Sequence, residues 1–175
     1  MKIFKCTAEN LDSVSQFYDK VIRYLEGNIN YPKWVYGQYP SRESVKQAIE
    51  EKVQYACCDG ERVVGAFIMN DNPQGDYSAG EWQRELDEGA YLVIHTLASD
   101  PEIYRRGIGR RMIEYCINAA RERGFDAIRL DVVPSNVPAR RLYESMGFSF
   151  AGEKDLKREI EEIPVFALYE LNLKR

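Results

Sequence analysis

The sequence predicts one mixed α/β domain, built from about seven strands and about four helices. Three observations predict it. The 175 residues are the length of one ordinary domain, and a 45% share of hydrophobic residues can fill its core. β-rich runs alternate with segments whose apolar residues recur at helical spacing. No repeat, low-complexity tract or linker divides the chain, so residues 1–175 are expected to form a single domain.

The chain opens with a predicted strand at residues 2–7 and an amphipathic helix at residues 10–24. A loop over residues 27–40 follows, rich in Gly, Asn, Pro and aromatic side chains. Ser41 is typical of a helix N-cap, and it predicts a second helix that continues to Lys52. The aromatic residues of the loop are Tyr31, Trp34, Tyr36 and Tyr39.

β-rich runs at residues 53–58 and 62–70 flank an Asp-Gly step at residues 59–60. This step is typical of a hairpin turn, so the two runs are predicted to pair. The next strand, residues 90–99, is apolar and β-branched, which favours a central position buried on both faces. Pro101 is predicted to end it.

The strongest helical pattern lies at residues 107–123, where the apolar residues form one stripe and Gly124 suits the helix end. Residues 127–133 return as a strand. The remaining predicted elements are a short helix at residues 138–146, strands at residues 148–153 and 165–173, and a charged hairpin excursion at residues 154–162.

The composition excludes several classes of function. A net charge of −4 and a pI near 5.2 argue against a binder of nucleic acids or acidic membranes, because such binding draws on surplus Lys and Arg. A neutral or cationic acceptor fits this charge better. No run approaches the ~18 to 20 apolar residues that span a bilayer, and the first residues lack the apolar run of a signal peptide. The protein is therefore expected to stay in the cytoplasm and to bind neither nucleic acid nor membrane.

No metal site is expected. The four cysteines, Cys6, Cys57, Cys58 and Cys116, form no CxxC pair, and one histidine is present to join them. Cys57 and Cys58 are neighbours in a predicted strand, so a disulfide between them is geometrically awkward. Reduced thiols are the expected state.

A glycine-containing segment, YRRGIGRR at residues 104–111, joins the predicted central strand to the next helix. Backbone N–H groups point outward at a helix start and attract anions. Gly107 and Gly109 carry no Cβ, so a phosphate can approach the backbone, and four arginines add positive potential. The pattern predicts a pyrophosphate site. A Rossmann fingerprint requires glycine where Met112 stands, and a P-loop requires a Gly-Lys-Ser/Thr run, which this segment lacks.

Several further motifs resemble the GNAT superfamily of N-acetyltransferases. The resemblance covers roughly residues 63–171. The motifs that carry it are Leu97-Ala98-Ser99, Pro101, the RRGIG run, Asn136, Ala139, Leu142-Tyr143 and Gly147-Phe148. It implies a central, twisted, mixed and mostly antiparallel sheet flanked by the helices.

The resemblance also implies acetyl-CoA as the acyl donor. In that family the glycine loop holds the CoA pyrophosphate, and the strand before it pairs with the pantetheine arm. Tyr104 departs from the usual Gln or Arg of the family, and Ser99 from its frequent Val. The implied CoA-binding residues are Leu97, Ala98, Ser99, Arg105, Arg106, Gly107, Ile108, Gly109, Arg110, Asn136, Ala139 and Tyr143.

Acetyl transfer to an amine needs a neutral nitrogen, a stabilised oxyanion and a proton for the departing thiolate. By resemblance, Tyr143 is the general acid at the thiolate, with core packing as its alternative role. The implied oxyanion donor is a backbone N–H near Leu97 or Ala98, freed where the family splays this strand from its neighbour.

Three residues are candidates for the general base. His95 comes first, because its ordinary pKa of about 6.5 suits the removal of an ammonium proton. A hydrogen-bonded structural histidine is the alternative. Glu88, just before the central strand, ranks second, and Asp131 on the following strand ranks third.

The expected acceptor is a primary amine of a small molecule, with a peptide or protein amine as the alternative. The aromatic loop and the acidic stretch at residues 81–88 occupy positions where the family places its acceptor-binding elements. Trp34 and Trp82 either line this pocket or anchor loops on the sheet. Family members commonly dimerise, which makes a homodimer an option here. A non-catalytic acyl-CoA sensor and a nucleotide-binding protein without CoA are the other classes left open.

Overall fold

The computed structural model describes residues 1–103 and 106–174. Within these residues none of the helices combines the length and apolar composition that crossing a bilayer requires. The helices are α1 (Leu11–Glu26), α2 (Arg42–Glu50), α3 (Ile108–Glu122) and α4 (Val137–Ser145), with a 3-10 turn at Ala8–Asn10. The strands are β1 (Lys2–Lys5), β2 (Gln54–Asp59), β3 (Arg62–Asn70), β4 (Tyr91–Ser99), β5 (Ala127–Val132), β6 (Ser149–Lys154) and β7 (Phe166–Asn172).

The strands form a seven-stranded sheet in the order β1-β2-β3-β4-β5-β7-β6. Antiparallel pairs are β1 with β2, β2 with β3, β5 with β7, and β6 with β7, whereas β4 and β5 are parallel. The predicted mixed, mostly antiparallel sheet with its helices is confirmed, and so is the hairpin, in which Asp59 pairs with Arg62.

The chain divides into two compact units, of which the first comprises residues 1–30, 34–69 and 95–115. Its apolar helix faces meet the strands in one cluster. Ser41 caps α2 as predicted, because its Oγ accepts the N–H of Ser44 at 3.2 Å. The buried core of this unit contains Cys6, Val14, Phe17, Tyr18, Val21, Val45, Ile49, Ala56, Ala66 and Ala98.

The second unit comprises residues 31–33, 70–94 and 116–175. Its core combines the faces of β4, β5, β6 and β7 with side chains from two loops. Its buried residues include Tyr77, Tyr91, Val93, Ala127, Ala151, Leu156, Ile163, Phe166 and Leu168.

The predicted charged hairpin excursion at residues 154–162 lies in the connection between β6 and β7, an antiparallel pair in which Lys154 is opposite Phe166. Lys154 ends β6, and residues 155–165 form a loop without strands. Leu156 is 1% exposed and Ile163 is 9% exposed, so apolar side chains tie this loop to the core. The high charge of the segment concealed these two anchors, because alternating charges dominate its composition.

Candidate functional site

β4 is irregular in its second half. Its parallel ladder with β5 joins residues 91–93 to residues 127–129, at the start of both strands. Thr96 has a φ of +47°, a left-handed conformation that a β-branched residue rarely adopts because its Cβ crowds the carbonyl oxygen. Leu97 is half-buried, whereas residues 91–95 are all buried. The irregularity therefore directly precedes residues 97–99, which are expected to bind the pantetheine arm.

A buried carboxylate directly follows β4. The Asp100 side chain is 1% exposed, and both of its oxygens lie 2.9 Å from Nζ of Lys20. Arg62 Nη2 donates to Oδ2 at 2.6 Å, and the N–H of Glu102 donates to Oδ1 at 3.0 Å. The N–H of Asp100 itself donates to the carbonyl of Val64 at 2.8 Å. These bonds fix the first residues of the segment that leads to α3.

The charge of Asp100 is stabilised by its partners. Burial alone would raise its pKa, because a carboxylate loses hydration when it is removed from water. Hydrogen bonds from Lys20, the Glu102 N–H and Arg62 outweigh burial and hold the pKa of Asp100 below its usual value. Asp100 is therefore a charged anchor at physiological pH.

α3 begins directly after Gly107, whose φ is +67°. The carbonyl of Gly107 accepts the N–H of Arg111 at 3.0 Å. In an α-helix, the N–H groups that precede such a first bond have no acceptor within the helix. Gly107 is exposed, and a Cβ added to it would meet no described atom within 4 Å. An anion can therefore approach the start of the helix closely. Tyr104 and Arg105, predicted for the same loop, lie outside the described residues.

The start of α3 packs closely against β3 at Gly65. A Cβ at Gly65 would lie 2.8 Å from Sδ of Met112 and 3.0 Å from Cγ2 of Ile108. A side chain at residue 65 would therefore displace Met112 and Ile108, and the glycine allows the helix start to lie close to the strand. Ile108 and Met112 are both buried and hold the helix start against the strand.

Two of the predicted phosphate ligands pair with nearby carboxylates. Arg106 Nη1 lies 3.0 Å from Oδ2 of Asp59, and Arg110 Nη1 lies 3.7 Å from Oε1 of Glu114. All four side chains are more than 40% exposed. Exposed ion pairs of this kind contribute little stability, so the arginines can exchange partners.

α4 carries the predicted acid and its neighbours. Asn136 is the N-cap, directly before the helix, and its Oδ1 accepts the N–H of Ala139 at 3.3 Å. Tyr143 is buried, with its ring centroid 5.9 Å from that of Phe148 and 6.1 Å from that of Tyr169. The Tyr143 ring therefore packs in the core, and the residue lies on the short helix predicted at residues 138–146.

The ionisation of Tyr143 is strongly disfavoured. Burial raises the pKa of its phenol well above the ordinary value, and the charge of Asp131 raises it further. Tyr143 is therefore a protonated hydrogen-bond donor throughout the physiological pH range.

The three candidate bases occupy different environments. His95 is 8% exposed within β4 and directly precedes Thr96. Glu88 is exposed in the loop before β4. The carboxylate of Asp131 accepts both Arg158 Nη groups at 2.7 Å and the hydroxyl of Tyr77 at 2.6 Å. These bonds fix Asp131 as a structural anion.

Trp82 anchors its loop in the second unit. Its Nε1 donates to the carbonyl of Tyr77 at 2.7 Å, and its ring lies 4.2 Å from the guanidinium carbon of Arg129. Arg129 also pairs with the buried Glu170 at 3.0 Å. Trp34, in the first unit, is held by its main chain, which exchanges two hydrogen bonds with the Asn30 side chain at 3.1 and 2.7 Å.

All four cysteines are buried with free thiols. Burial, with the charge of Cys58 as the second cause, raises the pKa of Cys6 to about 12. Burial also raises the pKa of Cys116. Protonated thiols are poor nucleophiles. Across the part of the chain that the structure describes, no three His, Cys, Asp or Glu residues are grouped to hold a metal ion.

Sequence reasoning missed Asp100, Gly65 and Arg158. The position of Asp100 directly before Pro101, at the end of a buried strand, was the signal that could have drawn attention to it. Gly65 interrupts a β-rich run, which is a signal for close backbone approach. Arg158 lies in a segment dense in charge, where no local pattern distinguishes one arginine from another.

Residues 18–148 match the family model for the acetyltransferase (GNAT) family. The ribosomal protein bS18 alanine N-acetyltransferase of Salmonella typhimurium is 35% identical over 92 residues, which are 53% of this chain and 59% of that enzyme. A mycothiol acetyltransferase of Beutenbergia cavernae is 32% identical over 83 residues, which are 47% of this chain and 28% of that protein. The matches thus span less than two thirds of these relatives.

Solved structures share the fold at low sequence identity. A GNAT-family acetyltransferase from Streptococcus agalactiae 2603 has a TM-score of 0.79 and 15% identity, covering 99% of this chain and 96% of that one. A Salmonella typhimurium structure with its cofactor acetyl-CoA has a TM-score of 0.67 and 15% identity, covering 100% of this chain and 95% of that one.

Proposed function

This chain belongs to the GNAT acetyltransferase family, and we propose that it transfers an acetyl group from acetyl-CoA directly to a primary amine of a small molecule. The observation that carries the proposal is the open helix start at Gly107, which lies inside the family match. Its outward N–H groups suit a pyrophosphate. We expect the reaction to take place in the cytoplasm.

The CoA pyrophosphate is proposed to bind the backbone N–H groups from Gly107 to Arg110, with Arg105 as a further ligand. Arg106 and Arg110 would leave their carboxylate partners and turn to the phosphates. The exchange costs little, because both ion pairs are exposed and the two negative charges of the pyrophosphate can accept charge-assisted hydrogen bonds from the arginines.

The pantetheine arm is proposed to pair with Leu97, Ala98 and Ser99. The ladder with β5 ends at Val93, which supports the use of later β4 backbone groups for a ligand. The N–H of Leu97 or Ala98 would stabilise the oxyanion that forms when the amine attacks the thioester carbonyl. The left-handed Thr96 supports this role, because it breaks the regular strand directly before these groups.

Tyr143, the expected general acid, is proposed to donate a hydrogen bond from its hydroxyl to the sulfur as the C–S bond breaks, so that CoA leaves as a thiolate and takes its proton from solvent. Its raised pKa supports a donor that is always protonated. An ordinary thiol ionises at about 8.5, so this phenol stabilises the developing thiolate chiefly as a hydrogen-bond donor. Asn136 and Ala139 are proposed CoA contacts, and the cap between them orients the helix that carries Tyr143.

His95 is proposed as the general base that removes the ammonium proton, directly or through water. Its place in β4, two residues before Leu97, supports this choice over Glu88, which lies in an exposed loop. Asp131 is a weaker candidate, because transfer of a proton to it would disrupt three short hydrogen bonds.

A peptide or protein amine is the second candidate acceptor. The similarity to ribosomal protein bS18 alanine N-acetyltransferase favours it, whereas the similarity to mycothiol acetyltransferase favours a small molecule. The exposed ring of Tyr39 is an aromatic surface that a cationic amine can contact, whereas the ring of Tyr36 already has the guanidinium carbon of Arg23 4.0 Å from its centroid.

Release of the CoA thiol from acetyl-CoA tests the proposal. The panel would contain polyamines, amino acids, aminoglycosides and peptides with free N-terminal amines. Turnover with a small amine supports the first candidate, and turnover confined to peptides supports the second. Thermal stabilisation by CoA without turnover on any amine would indicate a sensor. Stabilisation by nucleotides but not by CoA would contradict the proposal.

A further inference from the structure

Thr96 is unusual among the left-handed residues of this protein. Within residues 1–103 and 106–174, the other non-glycine residues with positive φ lie outside the strands. Thr96 alone among them lies within a strand, and it is β-branched, which makes the conformation unfavourable on local grounds. A contact from elsewhere in the fold must therefore support it.

Tyr18 on α1 provides that contact. Its hydroxyl donates to the carbonyl oxygen of Thr96 at 2.9 Å and lies 3.5 Å from the Thr96 Oγ1. Burial raises the pKa of Tyr18, so the hydroxyl stays protonated and remains a donor. The carbonyl of Thr96 thus accepts a hydrogen bond from a side chain 78 residues away in the sequence.

The side chain of Tyr18 is itself firmly placed. It is 1% exposed, and its ring meets the rings of Phe17 and Trp34 edge to face, with centroids 5.5 and 6.1 Å away. The Asn30 side chain in turn holds the backbone of Trp34. The hydroxyl of Tyr18 therefore has little freedom to follow a shift of Thr96.

Planarity of the peptide bond carries this restraint to the next residue. The carbonyl of Thr96 and the N–H of Leu97 belong to one trans peptide unit, so they point in opposite directions. When Tyr18 holds the carbonyl, it also sets the direction of the Leu97 N–H.

We propose that Tyr18 is a positioning residue for oxyanion stabilisation, because it fixes the Thr96 carbonyl and thereby aims the Leu97 N–H. The inference rests on the proposed function, which places the oxyanion donor at Leu97 or Ala98, and it selects Leu97. Tyr18 touches neither acetyl-CoA nor the acceptor in this role.

Tyr18→Phe tests the inference, because it removes the hydroxyl and retains the ring that packs on Trp34. Turnover should fall about ten- to a hundred-fold, somewhat less than the loss of a whole oxyanion donor. The affinity for CoA and the KM for the acceptor should change less than twofold. Tyr24→Phe, the same change at an exposed position on the same helix, is the control and should leave turnover unaltered.

Thr96→Gly separates positioning from a general loss of packing. Glycine adopts a left-handed φ without strain, so residue 96 can keep this conformation without support from Tyr18. The direction of the Leu97 N–H is then retained as well. Tyr18→Phe should therefore cost less turnover in the Thr96→Gly background than in the natural chain, a non-additivity that a double-mutant cycle measures. Equal losses in both backgrounds, or a parallel loss of CoA affinity, would overturn the inference.

The ¹⁵N–¹H resonance of the Leu97 amide gives a readout that needs no activity. Tyr18→Phe should move this resonance in the ligand-free protein, and Tyr24→Phe should not. An unmoved Leu97 resonance overturns the inference even if the natural protein is an active acetyltransferase. Absence of turnover by the natural protein overturns the proposed function and the oxyanion role with it, whereas a moved resonance would still support the structural link.

Discussion

Arg158 donates to both carboxylate oxygens of Asp131 at 2.7 Å, in the bidentate geometry typical of strong guanidinium–carboxylate pairs. The same arginine donates to the carbonyls of Gln74 at 2.5 Å and Pro73 at 3.1 Å. One side chain therefore joins β5 to two loops. Asp131 holds these loops in place, and its charge is committed to that task.

Asp131→Asn is accordingly expected to reduce stability and to leave the pH dependence of turnover in place. Loss of one member of a largely buried ion pair costs about 3 kcal/mol of the free energy of unfolding. Urea unfolding measures the loss. Asp155→Asn, at an exposed position in the loop that carries Arg158, is the control and should change the stability far less. Disappearance of the acid limb of the pH–rate profile would instead make Asp131 the base.

His95→Gln should lower kcat/KM by about a hundred-fold, because the attacking amine would lose its proton acceptor. The acid limb of the pH–rate profile should flatten, and CoA affinity should be retained. Glu88→Gln serves as the comparison and should leave the profile intact. If Glu88→Gln produces the larger loss, Glu88 rather than His95 is the general base.

Tyr143→Phe should lower kcat by about a hundred-fold or more while the affinity for CoA, measured by calorimetry, stays within twofold. The change removes the hydroxyl but keeps the ring between Phe148 and Tyr169. The melting temperature reports whether packing has survived. Full activity in this variant would leave Tyr143 with a packing role only.

Gly107→Val should weaken CoA binding much more than it weakens the fold. Valine disfavours a φ of +67°, and its branched side chain would occupy the space through which a phosphate approaches. Gly60→Val is a matched control, because Gly60 has a φ of +62° and equally open surroundings. Both variants should lose similar stability, but CoA affinity should fall in Gly107→Val. Equal affinities in the two variants would argue against a phosphate at Gly107.

Asp100→Asn should destabilise the protein in a pH-dependent manner. The pKa of Asp100 is lower in the folded chain than the ordinary value of about 3.9, so its charge stabilises the fold above about pH 4. That contribution disappears as the pH falls through the folded pKa. The difference in unfolding free energy between the two proteins, about 1 to 3 kcal/mol at pH 7, should therefore shrink in acid. A difference that stays constant from pH 7 to pH 3 would contradict this assignment.

The elements of the fold were accessible to sequence reasoning because their signals are local. The apolar stripe of α3, the Asp-Gly step between β2 and β3 and the serine cap of α2 each lie within a few consecutive residues. The helix start at Gly107 was accessible for the same reason. The burial of Leu156 and Ile163 in the connection between β6 and β7 was not predicted, because it depends on distant partners rather than on a periodic pattern.

The kinds of element, their order and the glycine-containing helix start follow from the amino-acid sequence, since each depends on short-range periodicity and backbone freedom. The roles of side chains whose partners are remote depend on the three-dimensional fold. Arg158 binds the carboxylate of Asp131, which is 27 residues away in the sequence, and this pairing makes Asp131 a weaker candidate for the general base. Tyr18 donates a hydrogen bond to Thr96, which is 78 residues away. Such pairings depend on how strands and helices meet in space. The hydrogen bonds at 2.7 and 2.9 Å that result do not produce a periodic pattern in the sequence.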